Sequence, residues 1–331
     1  MSKCSRMKNQ DEISFLIIST NAIGDSYLSL SAIDPIKNTF PNSKIFLVIN
    51  CDSNLLSPFI FANEIFILKS RSVFSVINLL IKLRKIQFDY SLTFFPGRIN
   101  SLLLILSKAK IRAGFRNYRK IENWFNISQK VYTNIKDEKI HQWFPELNFL
   151  DRIRIVLETI GINTDKITKF NLTRNPRNYN KKESILIHPF SMIKNKSMSF
   201  SQLQALVNYL KERLGCGIMI TGGIELNSSS EIYHWLSSVS VEIRSNQQLS
   251  SLVELILNSK LFLAVDSFPI HIADSYNCNF IGIFGPTNPG SVLVNSSKAV
   301  SFNVEDLQQV SNTTIIESID FYLTNSGIDN L

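Results

Sequence analysis

The chain has 331 residues, 44% of them hydrophobic and 11% aromatic, with 35 Lys and Arg against 27 Asp and Glu for a net charge of +8. That length exceeds what one hydrophobic core accommodates, so two domains are expected, and the composition is that of a folded soluble protein. No apolar window reaches the ~18 to 20 residues that span a bilayer, and the N-terminal MSKCSRMKNQDEIS lacks the apolar segment of a secretory signal, which together predict a cytoplasmic protein.

The first predicted element is ISFLIIS at 13–19, a continuous apolar run of strand length, as suits a central parallel strand buried on both faces. The loop TNAIG follows, then a helical pattern over 25–40, with Gly24 allowing a tight turn and Asp25 opening the helix. At that position a carboxylate interacts favourably with the helix dipole, worth ~0.3 to 1 kcal/mol. The functional alternative is a carboxylate at an interdomain cleft, placed to take a proton from an attacking hydroxyl.

Strand-like runs recur at 44–50, 64–69 and 90–95, with helical patterns over 73–86 and 98–107. Strands alternating with helices indicate parallel βαβ units. Next comes KIRAGFRNYRK, the densest basic cluster, with Arg112, Arg116, Arg119 and Lys120 interleaved with Phe115 and Tyr118. A solvated loop and an anion-binding patch explain that spacing equally well. A helix over 142–160 closes this half, and the polar NLTRNPRNYNKKES at 171–184 reads as the linker.

The alternation then restarts, with strands at 184–189, 217–223, 241–245, 261–266 and 279–285 and helices over 199–214, 250–258, from 269, and over 313–324. Residues 1–180 hold 26 Lys and Arg against 14 Asp and Glu, whereas 181–331 hold 9 against 13. A basic half concentrates anionic partners such as nucleic acid, acidic glycans or membrane phosphates without choosing among them. The architecture expected is α/β, with two Rossmann-like domains facing a cleft. Chemistry is then to be sought where strands end.

Three strand ends in the second half carry polar or Gly-rich turns. HPFSMIKNKSMSF places Lys194 and Lys196 before a helix, where ammonium groups and helix amides can meet a diphosphate, although loop lysines are common. TGGIE offers two glycines and Glu225, an acceptor for a ribose diol or part of a plain turn. AVDSFPIHIADSYNCNFIGIFGPTNP supplies Asp266, Ser267 as a helix N-cap, Pro269 in the first turn, His271 one turn in, and Thr287 in the turn after the next strand. At its position His271 suits a core role better than a catalytic one. No Gly-x-Gly-x-x-Gly or Walker motif follows any strand, which disfavours dinucleotide and P-loop enzymes. There is no Asp-x-Asp pair to hold a metal on a nucleotide-sugar diphosphate. The four cysteines, Cys4, Cys51, Cys216 and Cys278, lie too far apart for a zinc site or a disulfide framework.

Taken together, NAIGDSYLSLSAIDPIKNTFP and the later run from IHPF through TGGIE to FGPTNP resemble glycosyltransferase family 9, the ADP-heptose:lipopolysaccharide heptosyltransferases, with smaller echoes at IRAGFRNYR and HQWFPELNFL. The resemblance implies a GT-B fold and an inverting transfer that needs no metal or other cofactor. Residues 1–175 would bind the acceptor and 182–310 the nucleotide sugar; the helix within 311–331 is open to either half, packing back on the N-terminal domain being one of the two placements.

The family's catalytic base maps onto Asp25 after Gly24, its diphosphate lysine onto Lys196 with Lys194 one alignment step away, and its nucleotide acid onto Glu225. Its Asp-Thr-Gly-x-x-His segment maps onto Asp266, Ser267, Phe268, Pro269, Ile270 and His271. Phe268 thus stands where the family has glycine, which puts the donor in doubt. The partners implied are a nucleotide sugar, ADP-heptose first, and an anionic glycolipid or glycan acceptor bound by the basic cluster, with peripheral contact to an anionic membrane and no nucleic acid. The alternative is a catalytically weak sugar-nucleotide or polyanion-binding protein on the same fold.

Overall fold

The computed structural model describes residues 12–50, 62–95, 97–114, 147–165, 167–169 and 184–325. The chain divides into two compact units, Met1–Phe170 and Asn171–Leu331.

The first unit opens with β1 (Ser14–Ser19), all six residues of which are buried, as its unbroken apolarity requires. It leads into α1 (Ile23–Ser29), a 3-10 turn at Leu30–Ala32, and α2 (Ile33–Thr39). The single helix expected from residue 25 therefore starts earlier and is broken once. Pro35 accounts for the break: it has no N–H to give, and its ring crowds the carbonyl of Ser31, so the chain tightens into a 3-10 turn there. Gly24 lies in the first turn of α1 with helical backbone, not in a tight turn ahead of it.

The unit continues through β2 (Lys44–Ile49), β3 (Glu64–Ile67), α3 (Val73–Leu83), β4 (Tyr90–Thr93), α4 (Arg98–Leu106), β5 (Ile111–Gly114) and α5 (Phe149–Thr159). Its strands form a parallel sheet of order β3-β2-β1-β4-β5. One face is filled by Leu16, Ile18 and Val48 of the sheet with Leu79 and Leu83 of α3 and Leu103 of α4. The start of the basic stretch is strand, not loop. The helix expected from 142 begins instead at Asn148, whose side chain accepts the Leu150 amide as an N-cap, and residues 142–146 lie outside the described residues.

The second unit runs β6 (Ser184–His188), α6 (Phe200–Leu214), β7 (Gly217–Gly222), α7 (Glu231–Ser238), β8 (Glu242–Ser245), α8 (Leu249–Asn258), β9 (Leu261–Val265), α9 (Phe268–Ser275), β10 (Phe280–Phe284), β11 (Ala299–Ser301) and α10 (Asn312–Asn325). Its parallel sheet has the order β11-β10-β9-β6-β7-β8. A capping box between Ser199 and Gln202 starts α6, and Gly215 ends it at a φ of 60°, a left-handed conformation that glycine adopts without strain. The last helix, which the sequence left open to either half, packs on α6 and adds Ile315, Ile319 and Leu323 to the second unit's core. Among the described residues no helix is long and apolar enough to cross a membrane.

Candidate functional site

Parallel sheets offer a binding site beyond the carboxyl ends of their strands, at the point where strand order reverses. In the first unit that point lies between β1 and β4. The fully buried Asn100 of α4 ties the two strand ends together. Its Oδ1 accepts the Thr20 amide at 2.9 Å and the Thr20 hydroxyl at 2.6 Å, and its Nδ2 donates to the Phe95 carbonyl at 3.0 Å. Asn50 Nδ2 adds a bond to the Thr20 carbonyl at 2.9 Å. A Cβ on Gly97 would lie 2.7 Å from Asn21 Oδ1, so glycine there permits the close approach of the two loops.

These contacts fix the entry to α1, whose third residue is the half-buried Asp25. Arg152 of α5 is buried nearby, its Nε donating to the Leu147 carbonyl at 3.0 Å and its guanidinium 5.9 Å from the centre of the Phe95 ring. Burial pushes the Arg152 pKa down to about 10, and the negative charge of Asp25 opposes that shift. The acid therefore has a cation within electrostatic reach. Arg112 lies on β5 and donates from its guanidinium to the Ile105 carbonyl at 2.8 Å, holding the strand against the C-terminal turn of α4. Arg116, Arg119 and Lys120 lie outside the described residues.

In the second unit the order reverses between β6 and β9. The 3-10 turn Lys194–Lys196 after β6 brings the Lys196 ammonium within 2.6 Å of a carboxylate oxygen of Asp266, which directly follows β9 and is buried. Lys194, two residues earlier, is exposed. The fold thus separates two lysines that spacing left equivalent. At the end of β6, His188 has its Nδ1 closed off from water, and burial of the ring lowers its pKa to about 4 against opposing backbone hydrogen bonds at Thr221 and Phe190. Next to it in the sheet, a Cβ on Gly222 would meet the Phe190 ring at 2.7 Å, so this glycine lets β7 approach the β6 loop. Glu225 is half-buried, its Oε2 accepting the Gly223 amide at 3.2 Å.

Ser267 holds the N-cap position of α9, but its hydroxyl donates to the Val265 carbonyl at 3.1 Å and does not cap the helix. Phe268 opens the helix half-buried, and His271 is buried one turn on. Asp274, also buried, accepts the amides of Val294 and Asn295 at 2.8 and 3.2 Å. That anchors the segment leading from the half-buried Thr287. Lys196 and the amino end of α9 offer N–H donors at the strand ends and the glycine-bearing end of β7 permits close approach, features that suit a phosphate anion, with the Lys196 charge balanced by Asp266. Among the described residues no group of three or more His, Cys, Asp or Glu is placed to hold a metal ion.

The family model for glycosyltransferase family 9 (heptosyltransferase) matches residues 76–319. The chain belongs to glycosyltransferase family 9. It is a glycosyltransferase by that membership, and its two parallel sheets match solved structures of the same kind. A glycosyl transferase family 9 protein from Veillonella parvula superposes with a TM-score of 0.70 at 15% identity, covering 96% of this chain and 99% of that one. The E. coli ADP-heptose lps heptosyltransferase II gives 0.68 at 15% identity over 95% and 100% of the two chains. The E. coli heptosyltransferase WaaC with ADP gives 0.67 at 12% identity over 96% and 99%. No curated protein matches the chain in sequence.

Two residues of this family 9 glycosyltransferase escaped sequence reasoning, Asn100 and Arg152. Both are polar side chains on the apolar stripe of a helix, Asn100 in line with the buried Leu103 and Leu104, and Arg152 with the buried Phe149, Ile153 and Val156. A buried polar group at such a position must be bonded or paired, and that was the available signal.

Proposed function

We propose that this chain is an inverting, metal-independent transferase that moves a sugar, heptose first among the candidates, from a nucleoside-diphosphate sugar to an anionic glycolipid or glycan of the lipopolysaccharide-core type. The observation that carries the reading is the Lys196–Asp266 pair at the strand-order reversal of the second sheet, in a chain of a heptosyltransferase family. The similar WaaC structures hold ADP and ADP-2-deoxy-2-fluoro heptose.

In this mechanism Asp25 takes the proton of the acceptor hydroxyl as its oxygen bonds to the anomeric carbon. The bond from that carbon to the phosphate oxygen breaks on the opposite side, and its electron pair leaves with the nucleoside diphosphate. Lys196 has three N–H donors, one aimed at Asp266, and diphosphate oxygens take the others. The amino end of α9, with Ser267, and the Thr287 turn stabilise the same leaving charge. Glu225 and His271 face the nucleoside, and Phe268 shapes the sugar pocket. The excess of basic residues in 1–180 suits an acidic acceptor presented at the cytoplasmic face of a membrane.

A ligand that binds only the folded state raises the melting temperature by mass action. Among ADP-, GDP-, UDP- and CMP-sugars, an ADP-sugar is expected to raise it selectively, and Lys196→Ala to remove the rise. A selective rise with another base, or none with any, contradicts the donor assignment. Phe268, at the first position of α9, favours a second reading of binding without turnover; formation of a glycosylated product excludes it.

A further inference from the structure

Helix α3 is apolar on two faces. Val76, Leu79, Leu80 and Leu83 point into the core of the first unit. Along a second stripe Val73, Phe74, Ile77 and Ile81 stand in solvent, 72%, 81%, 47% and 54% exposed. The steps 73, 77 and 81 fall on one helix edge, with Phe74 beside it. Single exposed apolar side chains are ordinary, but four large ones in one stripe mark a surface that something covers. Among the described residues the other large exposed apolar side chains, such as Met192, Ile224, Val294 and Phe321, share no such stripe.

Charge says what the covering medium is. The stretch 69–85 contains no Asp or Glu, and its two ends carry Lys69 and Arg71 on one side and Lys82, Arg84 and Lys85 on the other, all exposed. An apolar stripe rimmed by cations is the pattern of a helix lying in a lipid interface, with aliphatic and aromatic groups among the acyl chains and cations at the headgroups. A second copy of the chain fits poorly: two such helices packed antiparallel would set basic ends against basic ends. The docking face also reaches the loop that leads into α1, since the Arg71 guanidinium donates to the Asn21 carbonyl at 3.3 Å, four residues before Asp25.

We infer that the outer face of α3 docks the enzyme on an anionic lipid bilayer, with Phe74, Ile77 and Ile81 entering the interface and the flanking Lys and Arg holding anionic headgroups. The role rests on the transferase reading only for the membrane-borne acceptor it would serve. Flotation of the full chain with vesicles of phosphatidylethanolamine and phosphatidylglycerol, against phosphatidylcholine alone, tests it. The chain is expected to float with the anionic vesicles and not with the neutral ones. Phe74→Ser with Ile77→Ser should cut the bound fraction about tenfold or more, while Phe321→Ser leaves it unchanged.

Should the double variant misfold, Phe74→Trp in the otherwise native chain provides an independent readout, its added emission over the native chain shifting to the blue on anionic vesicles. Failure of the native chain to float, unchanged flotation of the folded double variant, or an unshifted emission from the Phe74→Trp variant overturns the inference. So does a dimer of the native chain in solution that the double variant dissolves, because a second copy would then own the face. Sugar transfer to a deacylated, water-soluble acceptor should be equal in native and double-variant protein. Its absence from both would count against the transferase reading and leave the flotation result intact.

Discussion

With the Lys196 ammonium 2.6 Å from the buried Asp266 carboxylate, the cation is held in place before any donor arrives. A preset cation has less side-chain freedom to lose on binding an anion, as the proposed diphosphate role requires. His188, at the end of the adjoining strand, contributes the clearest pH dependence. Its folded pKa of about 4 lies below its ordinary 6.5, so between those values the unfolded chain binds a proton that the folded one refuses, and stability drops as the pH drops. Its full contribution is present above pH 6.5 and is lost toward about pH 4. His188→Gln should therefore flatten the melting temperature against pH across that window, and an unchanged slope would show that the ring does not titrate as described. The residue types of the site were legible at strand ends, and the family resemblance favoured Lys196 over Lys194; the ion pair with Asp266 was not legible, because it depends on β9 lying beside β6, a pairing between distant parts of the chain.

Elements were most legible where their signals were local and least where they depended on neighbours. The buried strands β1, β6, β9 and β10 read directly from unbroken apolar runs, whereas β11 is three residues long with no such run and is recognised by its pairing with β10. The α1 to α2 break was also written locally, in Pro35, but an apolar period that continues through a 3-10 turn disguises it. Gln202 shows a side chain serving two elements. It completes the capping box of α6, and its Nε2 donates to the carbonyls of Leu307 at 2.9 Å and Val310 at 2.7 Å. Gln202→Leu keeps the Ser199 hydroxyl cap but removes the acceptor of the Ser199 amide and leaves those carbonyls without this donor, which should lower stability against urea by about 1 to 3 kcal/mol. A loss below ~0.5 kcal/mol would mean that these side-chain bonds are dispensable, contrary to the usual cost of losing such groups.

At the scale of the whole molecule, each of the two parallel sheets has a strand-order reversal, one beside Asp25 in the first turn of α1 and one beside the Lys196–Asp266 pair, and the proposed function assigns the acceptor to the first and the nucleotide sugar to the second. Charge differs between the halves, 26 Lys and Arg against 14 acids in residues 1–180 and 9 against 13 in 181–331, and the proposed function uses that contrast by giving an anionic acceptor to the first half. Family and fold were legible in the order of the strand-end motifs, while Arg152, the cation facing Asp25, came into view only with the folded chain. The most direct test of the account is the transfer of sugar from ADP-heptose to a lipopolysaccharide-core acceptor, followed as mass gained by the acceptor, for the native chain and for Asp25→Asn with donor affinity measured alongside. The account predicts product with the native chain, and for Asp25→Asn a rate lower by about 10²-fold or more with donor affinity preserved. Undiminished transfer by Asp25→Asn would contradict it.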